Sequence, residues 1–446
     1  MYRSFAAAFV LCVAFAACDA DGGRDGGDPS YTASSTAAEE RMNGIAESYV
    51  KAVLAVGEYD DGYVDAYYGP ASWPDEVAAA TPALDEVASR ISALLDTVRT
   101  IDVGDADAVL QLRRDYLEKQ LEAVGARIEM LQGRQFAFDD EAQALYDASP
   151  PQHDEAHFRI VLDSLEGILP GEDPLVERLD RYRADFVIPA ERLDTVFQAA
   201  IAEARQRTRE HIALPDDERF VLEYVTNQPW SGYNWYQGEA TSLIQINTDL
   251  PIHIERAIDL AAHEGYPGHH VYNVLLEQRL VRDRGWVEFS VYPLFSPQSL
   301  IAEGTANFGI RVAFPGDDRV AFARDVLFPL AGLNPARAAE YFRVLDLLDR
   351  LGYAGNEAAR RYLDGEIDGE EAAEWLSTYA LMAPERARQR VRFFDTYRSY
   401  VINYNLGQDL VREWIERQGG TEDDPARRWE VFGELLASPR LPSGLQ

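Results

Sequence analysis

From residue 37 to the C-terminus, apolar residues recur at helical spacing, and this period constrains the fold more than any other feature of the chain. Leu117, Leu121, Val124, Ile128 and Leu131 step by four, three, four and three residues, which lines one face of a long helix. Pro189 opens another, with Leu193, Val196, Phe197 and Ala200 turned inward and charges outward. The same period covers about 40–55, 155–168, 298–312, 334–350, 369–380, 384–404 and 424–437. Strict alternation is scarce; its best instance is Thr241 to Asn247, closed by Thr-Asp-Leu-Pro, which reads as a short strand. No Pro/Gly/Ser linker and no fixed repeat divides this body. The expectation is a mainly α protein, with one large helical domain over 37–446 and a small β-sheet.

The N-terminus follows different rules. Arg3 precedes an apolar run, Phe5 to Ala17, that is too short to span a bilayer. The run ends Phe15-Ala16-Ala17-Cys18, which resembles a bacterial lipobox. Residues 1–17 are therefore expected to be a lipoprotein signal peptide, Cys18 the lipidated anchor, and 18–36 a Gly- and Asp-rich tether. The other cysteine, Cys12, lies inside the signal, which leaves no disulfide and no thiolate chemistry for the domain. The expected location is a bacterial membrane surface facing the periplasm.

Charge excludes some classes of function. The chain carries 76 acidic against 42 basic residues, a net charge of −34, with Lys51 and Lys119 as its two lysines. Phosphate recognition needs a basic surface, so no nucleic-acid partner is expected.

Four of the seven histidines (His253, His263, His269, His270) fall within 18 residues. Ala257 to Ala262 leads helically into His263-Glu264-Gly265-Tyr266-Pro267-Gly268-His269-His270. His-Glu is how helical zinc peptidases begin, with a second His at i+4 sharing the helix face. Pro267 occupies the i+4 position here. In an unbroken helix, His270 at i+7 returns to the face of His263 but about 10.5 Å along the axis, too far to share one metal ion. Pro267 and Gly268 change that geometry, and a two-residue bulge would bring His269 into the place of the second ligand. His270 is then a supporting residue, or the ligand itself if the bulge differs by one residue. A zinc site also wants a third protein ligand and an open position. Glu303 is the candidate, since an unpaired carboxylate in its small-residue, apolar-flanked helix would be costly; Glu277 is the competitor. His153 and His157 also stand at i and i+4, but no third partner accompanies them.

His-Glu-x-x-Pro-Gly-His-His, followed about 40 residues later by Glu303-Gly304-Thr305-Ala306, resembles the bacterial family known as domain of unknown function 885. That family is similar to gluzincin-type helical zinc metallopeptidases, whose third ligand is a Glu from a second helix. The resemblance runs from Tyr67-Tyr68-Gly69-Pro70 to the end. It includes Asn403-Tyr404-Asn405-Leu406-Gly407, which resembles the family's Tyr-x-x-Gly segment. Thr305-Ala306-Asn307-Phe308 departs from it, standing where the family has Trp-Ala and then Tyr. The resemblance implies a helical metallopeptidase-like domain with a small sheet beside the active-site cleft. His263, His269 and Glu303 would hold Zn2+, Glu264 would act as general base, and Tyr404 would donate to the tetrahedral oxyanion. The strand at 242–247 could pair with an extended peptide substrate, and Trp230, Tyr233, Trp235 and Tyr236 could line the cleft. The expected function is zinc-dependent peptide hydrolysis; the alternative is a non-catalytic metal- or peptide-binding lipoprotein on the same scaffold.

Overall fold

The computed structural model describes residues 29–104, 107–228 and 230–446. The expected signal peptide and Cys18 lie outside them. The described chain is mainly helical with a small amount of strand. Its apolar core runs from the first helix to the last turn, including Met42, Tyr49, Leu117, Ile258, Leu300, Phe394 and Leu445. Among the described residues, no helix is long and apolar enough to cross a membrane.

Most expected helices are present: Ala108–Leu131, Glu155–Ile168, Leu193–His211, Pro297–Ala313, Gly369–Tyr379 and Pro425–Leu436. The first helix spans Pro29–Gly57 and so takes in residues 29–36. One expectation needs correction. The single helix expected over 384–404 is two, Pro384–Tyr397 and Ile402–Arg417, joined by a 3-10 turn. Arg398 stands at the joint with φ +50°. The buried Glu141 carboxylate holds it there, accepting from Arg398 Nε at 2.6 Å and from the Ser399 backbone N–H and hydroxyl at 3.1 and 2.7 Å.

Among the described residues, five strands form two sheets. β1 (Val64–Tyr67) pairs antiparallel with β5 (Val291–Pro293). β2 (Arg219–Val225), β3 (Gly232–Tyr236) and β4 (Thr241–Asn247) form the other, in the order β2-β4-β3. The strand expected at 242–247 is therefore real but central, parallel to β2 and antiparallel to β3. Both of its edges are occupied, so it cannot receive a peptide strand; β2 and β3 are the edges. Alternation along β3 also divides the aromatic run. Tyr236 is buried with its hydroxyl on Glu277, whereas Tyr233 stacks with Trp230 and Trp235 at 5.5 and 4.5 Å.

Candidate metal centre

The sequence 255–276 forms one interrupted helix. Glu255–Leu260 is α-helical, Ala261–Gly265 is a π turn, and a new α-helix starts at His269. A π turn inserts an extra residue into the ladder, and Pro267 supplies no N–H to continue it. Gly268 is required at the break, because a Cβ there would lie 1.9 Å from the His263 carbonyl oxygen. The break replaces the i,i+4 face by a local return of the chain. His263 Nε2 and His269 Nε2 stand 3.2 Å apart, although six residues separate them.

The third group comes from Pro297–Ala313, a helix buried on nearly every side. Glu303 Oε2 lies 3.4 Å from His263 Nε2 and 3.8 Å from His269 Nε2. A point equidistant from three atoms so spaced lies about 2.0 Å from each, and zinc takes imidazole nitrogen and carboxylate oxygen at roughly 2.0–2.2 Å. Glu303 Oε2 is buried and makes no hydrogen bond, an arrangement that wants a cation. The donor set therefore fits a zinc ion, and among the described residues these three are the group of His, Asp and Glu side chains close enough to share one.

Neighbouring hydrogen bonds orient two of the three candidate ligands. His263 Nδ1 faces Asn307 Oδ1 at 3.0 Å, while Asn307 Nδ2 donates to the Tyr404 carbonyl at 2.9 Å. With its amide nitrogen so engaged, Asn307 presents an acceptor to His263, which fixes the proton on Nδ1 and leaves Nε2 as the free base. Tyr400 donates to Glu303 Oε1 at 2.9 Å, leaving Oε2 unpaired. Neither role was read from the sequence, although Asn307 lies four residues beyond Glu303 on the same helix and so on the same face.

Both roles require an unusually close helix crossing. A Cβ on Gly304 would lie 2.4 Å from the Gly407 backbone, and one on Gly407 would lie 2.7 Å from the Leu300 carbonyl oxygen. The glycines of the Glu303-Gly304 and Tyr404-to-Gly407 motifs thus touch each other, which brings Asn307 within reach of Tyr404.

Glu264 is buried beside the ligands, with its backbone carbonyl accepting from Asn234 Nδ2 at 2.6 Å. A Cβ on Gly232 would lie 3.0 Å from Glu264 Oε1, so the β3 backbone runs against this carboxyl. Burial raises the Glu264 carboxyl to about 7; His263 and Arg256 oppose the rise and Glu303 adds to it. Burial would also raise Glu303, but its close approach to His263 and His269 and the Tyr400 hydrogen bond pull it below the usual range. His269 is held down to about 4, chiefly by burial, which leaves its ring uncharged at neutral pH.

Tyr404 is half-buried, and burial together with the nearby Glu303 and Glu264 charges raises its hydroxyl, so it remains a donor. On the far side of β3, Tyr233 hydrogen-bonds Asp65, whose carboxyl rises to about 7 through burial and the charges of Glu303 and Glu264.

The other candidates lie elsewhere. His270 is buried with Nε2 on Glu218 at 3.1 Å and Nδ1 on Ser242 Oγ at 2.8 Å, so it ties the broken helix to the sheet instead of joining the triad. Glu277 accepts from Tyr236 and Arg282. His253 lies beside Arg183, and His153 stacks on His157.

The sequence matches no family model and no curated protein. Solved structures do resemble it. A chain described as "the putative lipoprotein from Colwellia psychrerythraea" aligns over 81% of this chain and 68% of its own, with TM-score 0.50 and 14% identity. A "putative lipoprotein of unknown function from Shewanella oneidensis" aligns over 84% and 75%, with TM-score 0.41 and 12% identity. The Colwellia likeness is one of fold.

Proposed function

We propose that this protein is a zinc-dependent peptide hydrolase, carried on a bacterial membrane by a lipid on Cys18 and facing the periplasm. The observation that carries the reading is the single point about 2.0 Å from His263 Nε2, His269 Nε2 and Glu303 Oε2, with the buried Glu264 carboxyl beside it. A bound zinc ion would polarise the scissile carbonyl and lower the pKa of the attacking water. Glu264 takes the proton as the water oxygen bonds to the carbonyl carbon. It then delivers that proton to the amine as the C–N bond breaks. The Tyr404 hydroxyl donates to the oxyanion. Asn307 and Tyr400 keep the ligands in register.

β3 supplies the substrate rail. Asn247 N–H donates to the Ser231 carbonyl and Gln237 N–H to the Thr241 carbonyl, so by antiparallel alternation Gly232 and Asn234 aim their backbone polar groups at the open edge. An extended peptide paired there would pass Glu264. The resemblance to the domain of unknown function 885 family supports the same reading.

A second reading is a metal- or peptide-binding lipoprotein without hydrolysis. It is favoured by the fold shared with the Colwellia chain, described as a "putative lipoprotein". Glu264 separates the two, because binding a metal does not need that carboxylate. Metal analysis of the purified protein should find one zinc, lost in His263→Ala and kept in an inactive Glu264→Gln. Unchanged metal content in His263→Ala would refute the site. Stoichiometric zinc with no cleavage of a mixed peptide library would favour the binder.

A further inference from the structure

Arg390, on the helix Pro384–Tyr397, lies beside Tyr404. Its guanidinium carbon sits 4.3 Å from the Phe393 ring centroid, 5.7 Å from Phe394 and 5.8 Å from Tyr404. Nε is buried without a hydrogen-bond partner, and no carboxylate of the described residues pairs with the group. This is unexpected in a chain with 76 acidic and 42 basic residues. Among its neighbours, Arg388 faces Glu370 and Arg398 binds Glu141, whereas Arg386 and Arg392 have no carboxylate partner among the described residues. Burial works against the charge of Arg390, and the one ionisable neighbour that supports it is Tyr404. A planar guanidinium held between aromatic rings with no counter-ion is pre-organised for a carboxylate that arrives with a ligand. Tyr404 links it to the site, because the Tyr404 hydroxyl feels the charges of Arg390, Glu303 and Glu264 alike.

We propose that Arg390 anchors a carboxylate of the substrate, so that the hydrolase acts on peptides bearing a free carboxylate close to the bond it cleaves. The proposal rests on the hydrolase reading for the cleavage, but the anchoring itself is testable without metal or turnover. Titration calorimetry on the metal-free protein would compare an N-acetylated alanine tripeptide, its C-terminal amide, and the amide of N-acetyl-alanyl-alanyl-glutamate. The free acid should bind about 10- to 100-fold more tightly than its amide, the range for charge-assisted hydrogen bonds. Arg390→Ala and Arg390→Gln should abolish the preference, and Arg390→Lys should restore part of it. The glutamyl amide distinguishes the sources: recovered affinity places the carboxylate on a side chain, unrecovered affinity at the C-terminus, and either agrees with an anchor at Arg390. Equal affinity for acid and amide, or a preference that survives in Arg390→Gln, overturns the proposal. Cleavage of acid and amide with equal kcat/KM by the zinc-loaded protein also overturns it and leaves the hydrolase reading standing. Zinc binding without cleavage defeats the hydrolase reading, while the calorimetric preference still decides the role of Arg390.

Discussion

Gly304→Ala tests how the site is assembled, because it perturbs a helix crossing without removing any polar group. The added Cβ would lie 2.4 Å from the Gly407 carbonyl carbon and oxygen and 2.8 Å from its Cα. Non-bonded carbon contacts are comfortable at about 3.5 Å, and neither side has a rotatable bond that could yield. The helices Pro297–Ala313 and Ile402–Arg417 would have to separate by about 1 Å. Overpacking of this kind costs about 3 kcal/mol at the upper end, offset by about 1 kcal/mol from the better helix propensity of alanine. The net loss is about 2 kcal/mol. With roughly 2 cal/mol/K of unfolding entropy per residue over the folded chain, Tm should fall by about 2–3 °C in scanning calorimetry. The same separation stretches two hydrogen bonds that cross the interface, Asn307 to Tyr404 and Tyr400 to Glu303, both 2.9 Å in the parent. Both would pass the length at which a hydrogen bond survives. Zinc affinity, measured by competition with a chromophoric chelator, should then drop about 10- to 100-fold. Gly44→Ala is the control: it sits exposed in the helix Pro29–Gly57 with nothing near its Cβ direction, and should gain about 0.5–1 kcal/mol. A Gly304→Ala protein with parental Tm and zinc affinity would refute the close crossing as the device that builds the site.

Other outcomes follow from the same geometry. Asn307→Leu removes the acceptor on His263 Nδ1 and should weaken zinc binding about 10- to 100-fold in the same competition assay; unchanged affinity would show that the tautomer needs no such partner. Tyr404→Phe should lower kcat about 100-fold with little change in KM, whereas Tyr400→Phe should act on metal affinity instead; a KM effect alone in Tyr404→Phe would remove it from the chemistry. Burial would raise the Glu218 carboxyl, but hydrogen bonds from His270, Tyr266 and Arg205 outweigh it and pull it down to about 2. Its folded pKa lies below the unfolded value near 4.5, so its contribution is complete above that value and is lost as pH falls towards 2. The shift corresponds to about 3 kcal/mol, and denaturant midpoints for the parent and Glu218→Gln should converge as pH falls through that window.

The helical body was legible from the chain because a 3.6-residue period survives any tertiary arrangement that buries one face. The strand at 241–247 was legible from its alternation for the same reason. The split at Arg398 was not, since the periodicity of 384–404 continues across it and the cause is a remote carboxylate, Glu141. Nor could alternation tell that β4 is central: strand order depends on which neighbours pair, and β4 pairs both with β3, the strand just before it, and in parallel with β2 beyond that.

At the site, residue types and spacing singled out His263, Glu264, His269 and Glu303 as candidates, because a His-Glu pair, a Pro-Gly break and a Glu in a small-residue helix are local features. Whether His269 or His270 joins His263 depends on how many residues the break consumes, and spacing alone leaves that open. The π turn and the Gly268 approach to the His263 carbonyl decide it for His269. The roles of Asn307, Tyr400 and Arg390 carry no sequence signal beyond the place of Asn307 four residues after Glu303. They acquire meaning through contacts between helices, made possible where Gly304 meets Gly407 and where Arg390 stacks beside Tyr404 without an acid. The sequence by itself determined the helices and the set of candidate ligands. Tertiary structure alone decided which lone pairs converge, because convergence depends on the distance between elements, and no local pattern encodes that distance.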